Sequence, residues 1–453
     1  MKPRTSEKEF KHYLIKENQT LQENDVTHNS IFYEGNNMGK LFRNVAVIGA
    51  GMSKFGRFDR KTNRELWVEA FLDSKKSVDN DIDMKDVEAL FLGNYSSDLF
   101  EKQTHTAPLM ADLVGLTPKA AMRIEDACAS SGVALRLGVL AIASGQYDIV
   151  CIGGTEKMTN LTTTEVTDVL AAASDTHSEV LAGATFPGLY ATMATAHMAK
   201  FGTTEEQLMA VAIKNHANGA LNPKAQMQNT ITEIMNKRIE RAKEKGEPIP
   251  NWADEYEFLK SNANPMIAYP LRLFDCSLIT DGAACVFLAS EEIAKKYTDT
   301  PIWVIGNGQG SDAFSLDDRD TMTSLRAARV ASQQAYQMAG LGPQDIHIAE
   351  VHDCFTIAEI LAIEDLGFFE KGTGGRVTLE GRTALDGDLP INTSGGLKSK
   401  GHPVGASGVA QTVEIFKQLR GDAGKRQVSN VEIGLTHNVG GSGSTCAVHI
   451  YRR

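Results

Sequence analysis

Cys128 is the residue whose surroundings most favour chemistry. It stands in the segment IEDACASSG at 124–132, after a short predicted strand and before a stretch with apolar residues at helical spacing. The amides at a helix N-terminus stabilise a thiolate, so we expect a lowered pKa. The small neighbours leave room for a bulky thioester. Taken alone, the segment is equally compatible with a nucleophile and with a buried structural cysteine.

The C-terminal half contributes two histidines and a second cysteine. The segment EVHDCF at 350–355 places His352 two residues before Cys354, directly after a predicted strand. Side chains that follow a strand of an α/β sheet face a cleft. His402 lies between Gly401 and Pro403 in a glycine-rich stretch, which is typical of a loop that approaches other backbone closely. Each histidine alone could be structural, but the three segments together indicate one site.

Glycine-rich turns have two different meanings in this chain. The segment THNVGGSG at 436–443 includes Gly440 and could offer backbone N–H groups to an oxyanion. By contrast, Gly49-x-Gly51 is not a dinucleotide fingerprint, because Lys54 stands where the third glycine is needed. Gly306-x-Gly308 fails in the same way, which excludes NAD as a cofactor.

At these residues the sequence resembles the thiolase superfamily, from Asn44 to Arg453. It is most similar to the sterol-carrier-protein-type and archaeal-type enzymes, which carry His-Asp-Cys-Phe where better-known thiolases carry Asn-Glu-Ala-Phe. The segments 211–216 and 222–226 also match. The resemblance implies an acyl-CoA C-acyltransferase, an acetyl-CoA C-acetyltransferase or acetoacetyl-CoA thiolase. It would catalyse reversible Claisen condensation of acetyl-CoA with an acyl-CoA, or CoA-dependent cleavage of a 3-oxoacyl-CoA.

The resemblance also implies a role for each matching residue. Cys128 would be the nucleophile that holds the acyl group, and His402 would take its proton and later help to stabilise the enolate. Cys354 would be the general acid/base, and His352 would orient a water in the enolate oxyanion hole. The amides of Cys128 and Gly440 would form the second oxyanion hole. Ser277 would contact the pantetheine arm of coenzyme A.

The chain departs from the typical family pattern at two places. Thiolases usually place the acid/base cysteine just before the last glycine turn, where this chain has Asn438. A carboxamide cannot take a proton at neutral pH, so Cys354 is the predicted replacement. About thirty residues around 237–262 are also an insertion relative to a minimal thiolase.

The elements that position these residues form a doubly wound pattern that occurs twice. A buried strand at 45–49, a helix opened by a capping box at Thr62–Glu65 and a strand at 86–92 come first. A strand at 302–308, a helix at 325–339 ended by Gly340 and a strand at 345–351 repeat the order. This predicts a duplicated α/β fold with its site where the halves meet. The resemblance implies two mixed sheets in an α-β-α-β-α arrangement.

Three segments divide the chain. Residues 1–40 are predicted to be an N-terminal extension, 41–298 the first half and 299–453 the second half. A polar region at about 159–271 is predicted to be an inserted loop domain, in which the charged run 237–245 is a solvated helix face. The chain returns to the core through a small-residue strand at 281–288.

Composition limits the partners. A net charge of −11 disfavours nucleic acid, and no apolar run is long enough to span a membrane. Six cysteines without a CxxC pair predict neither a disulfide framework nor a zinc site, and they suit the cytoplasm. The expected substrates are acyl-CoA esters, with no other cofactor and no metal. The family further implies a homodimer or homotetramer, and in archaeal-type members a small acyl-CoA-binding partner of zinc-ribbon and OB-fold type.

Two other functions remain open at the level of sequence. A decarboxylating ketoacyl synthase-like enzyme would use Cys128 with His352 and His402 but leave Cys354 idle. A non-catalytic acyl-CoA-binding scaffold would need none of the reactive groups. Dependence on malonyl-thioester or acetyl-thioester separates the first from a thiolase, and CoA-dependent cleavage of acetoacetyl-CoA excludes the second.

Overall fold

Eleven strands and fourteen α-helices make up residues 41–453, the part of the chain that the computed structural model describes. The predicted extension at 1–40 lies outside these residues. The strands are β1 Val45–Met52, β2 Ala89–Gly93, β3 Ala120–Ile124, β4 Ile149–Glu156, β5 Met266–Ala268, β6 Leu271–Arg272, β7 Gly282–Ser290, β8 Ile302–Ser311, β9 Ile348–Glu350, β10 Ile433–Gly440 and β11 Thr445–Arg452.

The helices surround these strands in chain order. They are α1 Asn63–Lys76, α2 Ser97–Phe100, α3 Thr106–Leu113, α4 Ser130–Ala143, α5 Thr163–Ala171, α6 Phe186–Phe201, α7 Glu205–Ala220, α8 Ile231–Lys245, α9 Glu255–Lys260, α10 Glu291–Tyr297, α11 Arg326–Ala339, α12 Thr356–Asp365, α13 Gly374–Leu379 and α14 Ser407–Arg420.

Nine strands form one sheet in the order β3-β2-β4-β7-β1-β8-β11-β10-β9. Its two ends have the same connectivity. In the first half β1 pairs antiparallel with β7, β7 pairs antiparallel with β4, and β4 pairs parallel with β2. In the second half β8 pairs antiparallel with β11, β11 pairs antiparallel with β10, and β10 pairs parallel with β9. The predicted duplication is therefore confirmed. Three residue pairs between β1 and β8, such as Val45 with Val304, join the half-sheets into one continuous sheet.

Helices complete the layered arrangement. Helix α1 packs on β1 and β7, and α11 packs on β8 and β11. Helices α4 and α14 lie between the half-sheets, where they share one buried apolar cluster with strands of both halves. The order is helix, sheet, helix, sheet, helix, as expected for the α/β class. The ends of strands from both halves meet beside this central helix pair.

Local sequence accounts for most element boundaries. Thr62 accepts from the Glu65 amide and Glu65 accepts from the Thr62 amide, which is the predicted capping box. Gly340 ends α11 in the left-handed conformation, with φ of 65°. The strands predicted at 86–92 and 345–351 are shorter than expected and begin at Ala89 and Ile348. A turn at 84–86 and a 3₁₀ turn at Pro343–Asp345 take up the missing residues.

The polar region at 159–271 is largely helical and contains α5 to α9. Helix α8 exposes its charged residues, as predicted, and buries Ile231 and Met235 in a small apolar cluster with Phe258 from α9. The predicted boundaries of this inserted domain and of the two halves stay predictions. Within residues 41–453, no helix is both long and apolar enough to cross a membrane.

Candidate active site

Cys128 lies in a tight turn between β3 and α4. Ala127 takes a positive φ of 48°, and Cys128 comes directly before Ala129, the N-cap of α4. Ser130 closes the turn, because its hydroxyl donates to the Ala127 carbonyl at 2.6 Å and accepts from the Asp126 amide at 2.9 Å. The turn thus presents the sulfur at the start of a helix, as the sequence predicts.

The expected lowering of the Cys128 pKa is wrong. Burial raises the pKa of this thiol above its ordinary value, and hydrogen bonds from the amides of Gly441 and Cys128 itself offset only part of that rise. The resting nucleophile is therefore a neutral thiol. It needs a base beside it before it can attack a thioester.

His402 has the protonation state of such a base. Its Nδ1 lies 2.7 Å from the Ser407 hydroxyl, which donates its proton to the Pro403 carbonyl at 3.0 Å. The hydroxyl must therefore accept from Nδ1–H, which leaves the lone pair on Nε2. Burial lowers the pKa of His402 to about 3, so the ring is neutral at pH 7. Gly401, at φ of 113°, and the bond from the His402 amide to Thr280 at 3.0 Å hold the loop.

His352 has the opposite tautomer. The Asn438 amide nitrogen donates to the Cys128 carbonyl at 3.0 Å and lies 3.2 Å from Nδ1 of His352. Nδ1 is then the acceptor, and Nε2 carries the proton. Nε2 is buried and has no hydrogen-bond partner among the described residues. Burial lowers the pKa of His352, so this group is a neutral donor that awaits an acceptor.

Cys128, His352 and His402 come together as predicted. Their side-chain ligand atoms lie within 4.8 Å of one another, the one such cluster of metal-ligand type among residues 41–453. The imidazole rings of the two histidines are 5.0 Å apart between centroids and nearly perpendicular. The cluster suits proton transfer from sulfur to His402 and hydrogen bonding by His352.

Cys354 lines the same cavity as Cys128 and is buried. Burial raises the pKa of the Cys354 thiol to about 12, and a hydrogen bond from the Tyr190 hydroxyl works against that rise. Tyr190 stacks on Phe355, with ring centroids 4.6 Å apart. The Cys354 carbonyl accepts from the Ser277 amide at 2.8 Å, which ties the turn to the cavity wall. A thiolate at Cys354 would be a strong base.

The cavity has a volume of about 560 Å³, within the range of sites for small organic ligands. Ser277 lies on its wall, as predicted for a residue near the substrate.

The amide beside the Cys128 sulfur is that of Gly441 instead of Gly440. Gly440 lies one residue earlier at the end of β10, where a Cβ would come within 2.6 Å of the Asp126 carbonyl oxygen. The predicted place of Gly440 in the oxyanion hole stays a prediction.

Two buried carboxylates hold the loops of the site. Glu156 accepts from the amides of Tyr95 and Gly405 at 2.8 and 3.1 Å, and burial raises its pKa to about 8. Asp353 accepts from the Leu397 amide at 2.7 Å, and burial raises its pKa to about 7. These bonds connect the loop that carries His402 to β4 and to the turn that carries Cys354.

Sequence reasoning missed three residues of this site, Ser407, Glu156 and Tyr190, and it gave Asn438 no role beyond replacing a cysteine. Ser407 fixes the tautomer of His402, and Glu156 holds the loop that carries it. Tyr190 contacts Cys354, and Asn438 orients His352. Ser407 lies in the glycine-rich segment that carries His402, and that closeness was the available signal. Tyr190 and Glu156 are distant in sequence from every motif, so only the folded chain reveals them.

The comparisons agree with this geometry. Residues 45–292 match the family described as "Thiolase, N-terminal domain", and residues 308–453 match "Thiolase C-terminal domain-like". The chain belongs to the thiolase family and is an acyltransferase.

Two similar proteins are archaeal. The chain is 47% identical to the acetyl-CoA acetyltransferase of Methanothermobacter thermautotrophicus over 91% of its own length and all of the relative. It is 40% identical to the acetyl-CoA acetyltransferase of Methanocaldococcus jannaschii, over 90% of this chain and 98% of that one. Among solved structures, the Ltp2-ChsH2(DUF35) aldolase aligns with a TM-score of 0.74 at 23% identity, covering 91% and 99% of the two chains. That likeness concerns the fold alone.

Proposed function

We propose that the protein catalyses the reversible condensation of two acetyl-CoA molecules to acetoacetyl-CoA and coenzyme A. One observation carries the proposal: the Cys128 sulfur meets a histidine base and a histidine donor within 4.8 Å, and Cys354 lines the same cavity. The names of the two archaeal relatives support the choice of acetyl-CoA. Coenzyme A is released by condensation and consumed by cleavage, and the proposed reaction uses no further cofactor.

The first step transfers an acetyl group to Cys128. His402 Nε2 takes the thiol proton, and the thiolate attacks the thioester carbonyl of acetyl-CoA. The oxyanion meets the amides of Cys128 and Gly440, the two groups that the family resemblance assigns to this hole. The coenzyme A thiolate leaves and takes a proton from Cys354, which becomes a thiolate.

The second step forms the carbon–carbon bond. The Cys354 thiolate removes an α-proton from a second acetyl-CoA, and the high pKa of this cysteine makes it basic enough in a cavity shielded from water. The enolate oxygen meets the Nε2–H of His352 and the protonated His402. The enolate carbon attacks the acetyl-Cys128 carbonyl. Collapse releases acetoacetyl-CoA and the Cys128 thiolate, which recovers its proton from His402.

The test follows both halves of the reaction. We expect CoA-dependent cleavage of acetoacetyl-CoA and, after brief exposure to acetyl-CoA, an acetyl adduct on the peptide that contains Cys128, detected by mass spectrometry. An adduct on another cysteine, or no cleavage by protein that is folded by circular dichroism, contradicts the proposal.

A decarboxylating condensing enzyme is the second candidate, because Cys128 with two histidines is the set such an enzyme needs. It would have no use for Cys354, although the structure keeps that thiol in the cavity. Condensation that proceeds with malonyl-CoA and fails with acetyl-CoA alone would establish this candidate and reject the thiolase.

We also propose a homodimer or homotetramer. Strand β3 is the outer strand of the sheet in the first half, and Met122 at its centre is 38% exposed. An uncovered edge strand favours pairing with a second copy. Light scattering should report at least twice the 49.1 kDa of one chain. An active monomer would contradict this assembly.

A small zinc-ribbon and OB-fold protein is a further proposed partner. The name of the Ltp2-ChsH2(DUF35) aldolase pairs two proteins, which supports the idea of a complex.

All six cysteines are free thiols, and the proposed reaction needs Cys128 and Cys354 reduced. These requirements support a cytoplasmic location.

A further inference from the structure

Tyr190 in α6 connects the two thiols of the site. Its hydroxyl donates a hydrogen bond to the Gly441 carbonyl at 3.3 Å, and the Gly441 amide in turn lies beside the Cys128 sulfur. The same hydroxyl is also within hydrogen-bonding reach of the Cys354 sulfur. The ring is fully buried and stacks on Phe355, so the position of the hydroxyl is fixed. The reaction proposed above gives this hydroxyl no task.

A hydroxyl has only one proton to donate, so Tyr190 must choose between two acceptors. While Cys354 is a neutral thiol, its S–H group can donate to the Tyr190 oxygen, and Tyr190 donates to Gly441. A thiolate only accepts, so once Cys354 loses its proton the Tyr190 hydroxyl becomes the donor. The bond to Gly441 is longer than the roughly 2.5–3.0 Å usual for hydroxyl donors, so turning away from the carbonyl costs little.

Tyr190 keeps its own proton throughout. Burial raises the pKa of the Tyr190 phenol well above its ordinary value, and the charge of a thiolate at Cys354 raises it further. The phenol is therefore a hydrogen-bond donor at neutral pH and does not compete with Cys354 as the acid/base. Its effect on the reaction must come from the energy of the thiolate that it contacts.

Charged and titratable groups act on this pair from several parts of the chain: Asp353, Lys398, Cys128 and Arg319. Asp353 and Lys398 carry opposite charges, so their effects on a thiolate at Cys354 work against each other. The Phe355 amide also donates to the sulfur, but a backbone group cannot turn between two acceptors as a hydroxyl can. Tyr190 is the donor of this set that responds when Cys354 loses its proton.

We propose that Tyr190 is a further catalytic residue, whose hydroxyl turns from the Gly441 carbonyl to the Cys354 sulfur and stabilises the thiolate that removes the α-proton. The proposal rests on the thiolase reaction proposed above. The proton that Cys354 gives up goes to the leaving coenzyme A thiolate, and the α-proton later returns to the same sulfur. Tyr190 thus ends each cycle with the proton with which it began.

Tyr190→Phe tests this role, because it keeps the ring that stacks on Phe355 and removes the hydroxyl alone. Condensation of acetyl-CoA and exchange of its α-hydrogens with deuterium oxide should both fall by about tenfold to a hundredfold, as expected for a lost hydrogen bond to a charged sulfur. The acetyl adduct on Cys128 should still form. The pH profile of condensation should move to higher pH, since the thiolate becomes harder to form.

Tyr336→Phe is the matched control. The Tyr336 hydroxyl also donates to a backbone carbonyl, that of Leu366 at 3.0 Å, and this tyrosine does not line the cavity. We expect Tyr336→Phe to leave the rates and the pH profile unchanged. Circular dichroism checks that both variants are folded.

Alkylation by iodoacetamide measures the Cys354 thiolate without any substrate. In proteins that also carry Cys128→Ala, mass spectrometry follows alkylation of the peptide that contains Cys354. The rate at pH 9 should be about tenfold to a hundredfold lower with Tyr190→Phe than without it, because less of the thiol is ionised. Equal alkylation rates would overturn the proposal.

The other contrary outcomes separate Tyr190 from the reaction as a whole. An equal fall in acylation of Cys128 and in condensation, with an unchanged pH profile, would make Tyr190 a support of the Gly441 turn and overturn its catalytic role. Unchanged rates in Tyr190→Phe would overturn that role too, and both results leave the thiolase proposal standing. If the folded, unaltered protein does not cleave acetoacetyl-CoA, the thiolase proposal is rejected, and with it the catalytic role of Tyr190.

Discussion

The two halves of the molecule have the same strand connectivity but carry different chemistry. In the first half β2 is followed by Asn94 and Tyr95, and β3 is followed by Cys128. In the second half β9 occupies the place of β2 and is followed by His352 and Cys354. Ile391, which pairs in parallel with β9 through Ala349, occupies the place of β3.

The loops that follow β3 and Ile391 form the sharpest pair in this comparison. One carries Cys128 into α4, and the other carries His402 into α14. Because α4 and α14 pack together between the half-sheets, the duplicated loops bring a nucleophile and its base face to face. Under the proposed mechanism, equivalent loops of the two halves therefore carry different catalytic tasks.

Removal of Cys128, which the first half contributes to the site, should have the largest effect on activity. Cys128→Ala leaves no atom to carry the acyl group, so both thiolysis and condensation should fall by at least about a thousandfold. Rates with acetoacetyl-CoA and with acetyl-CoA measure this loss. The buried Cys285 in β7 offers a control, since Cys285→Ala removes a core thiol far from the cavity. Undiminished turnover by Cys128→Ala would contradict the proposed division of catalytic tasks between the two halves.

Cys354→Ser separates the two chemical steps. We expect Cys128 still to form an acetyl adduct, while condensation falls by about a hundredfold to ten-thousandfold, because a hydroxyl is a much weaker acid/base catalyst than a thiol. Mass spectrometry measures the adduct and a coupled assay measures condensation. Loss of the adduct would instead make Cys354 part of nucleophile activation.

Ser407→Ala should have a smaller effect, which we expect to see first in acylation. Without the hydroxyl acceptor, Nδ1–H of His402 loses its partner and the tautomer is no longer fixed. The acylation rate should fall by no more than about a hundredfold, since the imidazole itself remains. The pH profile of acylation should change as well, and Ser407→Thr should restore both. A variant with unchanged rate and profile would remove Ser407 from the positioning role.

Acid sensitivity should come mainly from the second half, because burial lowers the pKa of four histidines there and of His216 alone in the first half. Burial lowers the pKa of His402, His437 and His449 to about 3, whereas an unfolded histidine titrates near 6.5. The unfolded state therefore binds more protons between these values, and stability falls as the pH falls. Each ring should cost roughly 2 kcal/mol between pH 6.5 and pH 5.

Urea midpoints at pH 7 and pH 5 measure this decline. His449 lies in β11 and outside the catalytic cluster, so His449→Gln should reduce the decline by the contribution of one ring, roughly 2 kcal/mol. Asp168→Ala, on the exposed face of α5, should leave the decline unchanged. An identical decline in His449→Gln would assign the acid sensitivity to other groups.

The sequence determined the kinds of residue, the repeated elements and the local boundaries. Buried strands such as β1 and β7, the capping box at Thr62 and the stop at Gly340 depend on neighbouring residues, so a short stretch of sequence contains their cause. Cys128 and His402 stood out because small or glycine-rich neighbours surround them, and His352 because it follows a predicted strand two residues before Cys354. The continuous sheet could not be predicted from the sequence, because it depends on the pairing of β1 with β8, which are separated by more than 250 residues.

Only the tertiary structure decided the state of the catalytic groups. A helix start near Cys128 predicts a lowered pKa, yet burial raises it, because desolvation depends on everything packed around the sulfur. The tautomers of His402 and His352 depend on Ser407 and on the distant Asn438, and the Gly441 amide lies beside the Cys128 sulfur. These properties arise from contacts between chain segments that local sequence does not encode.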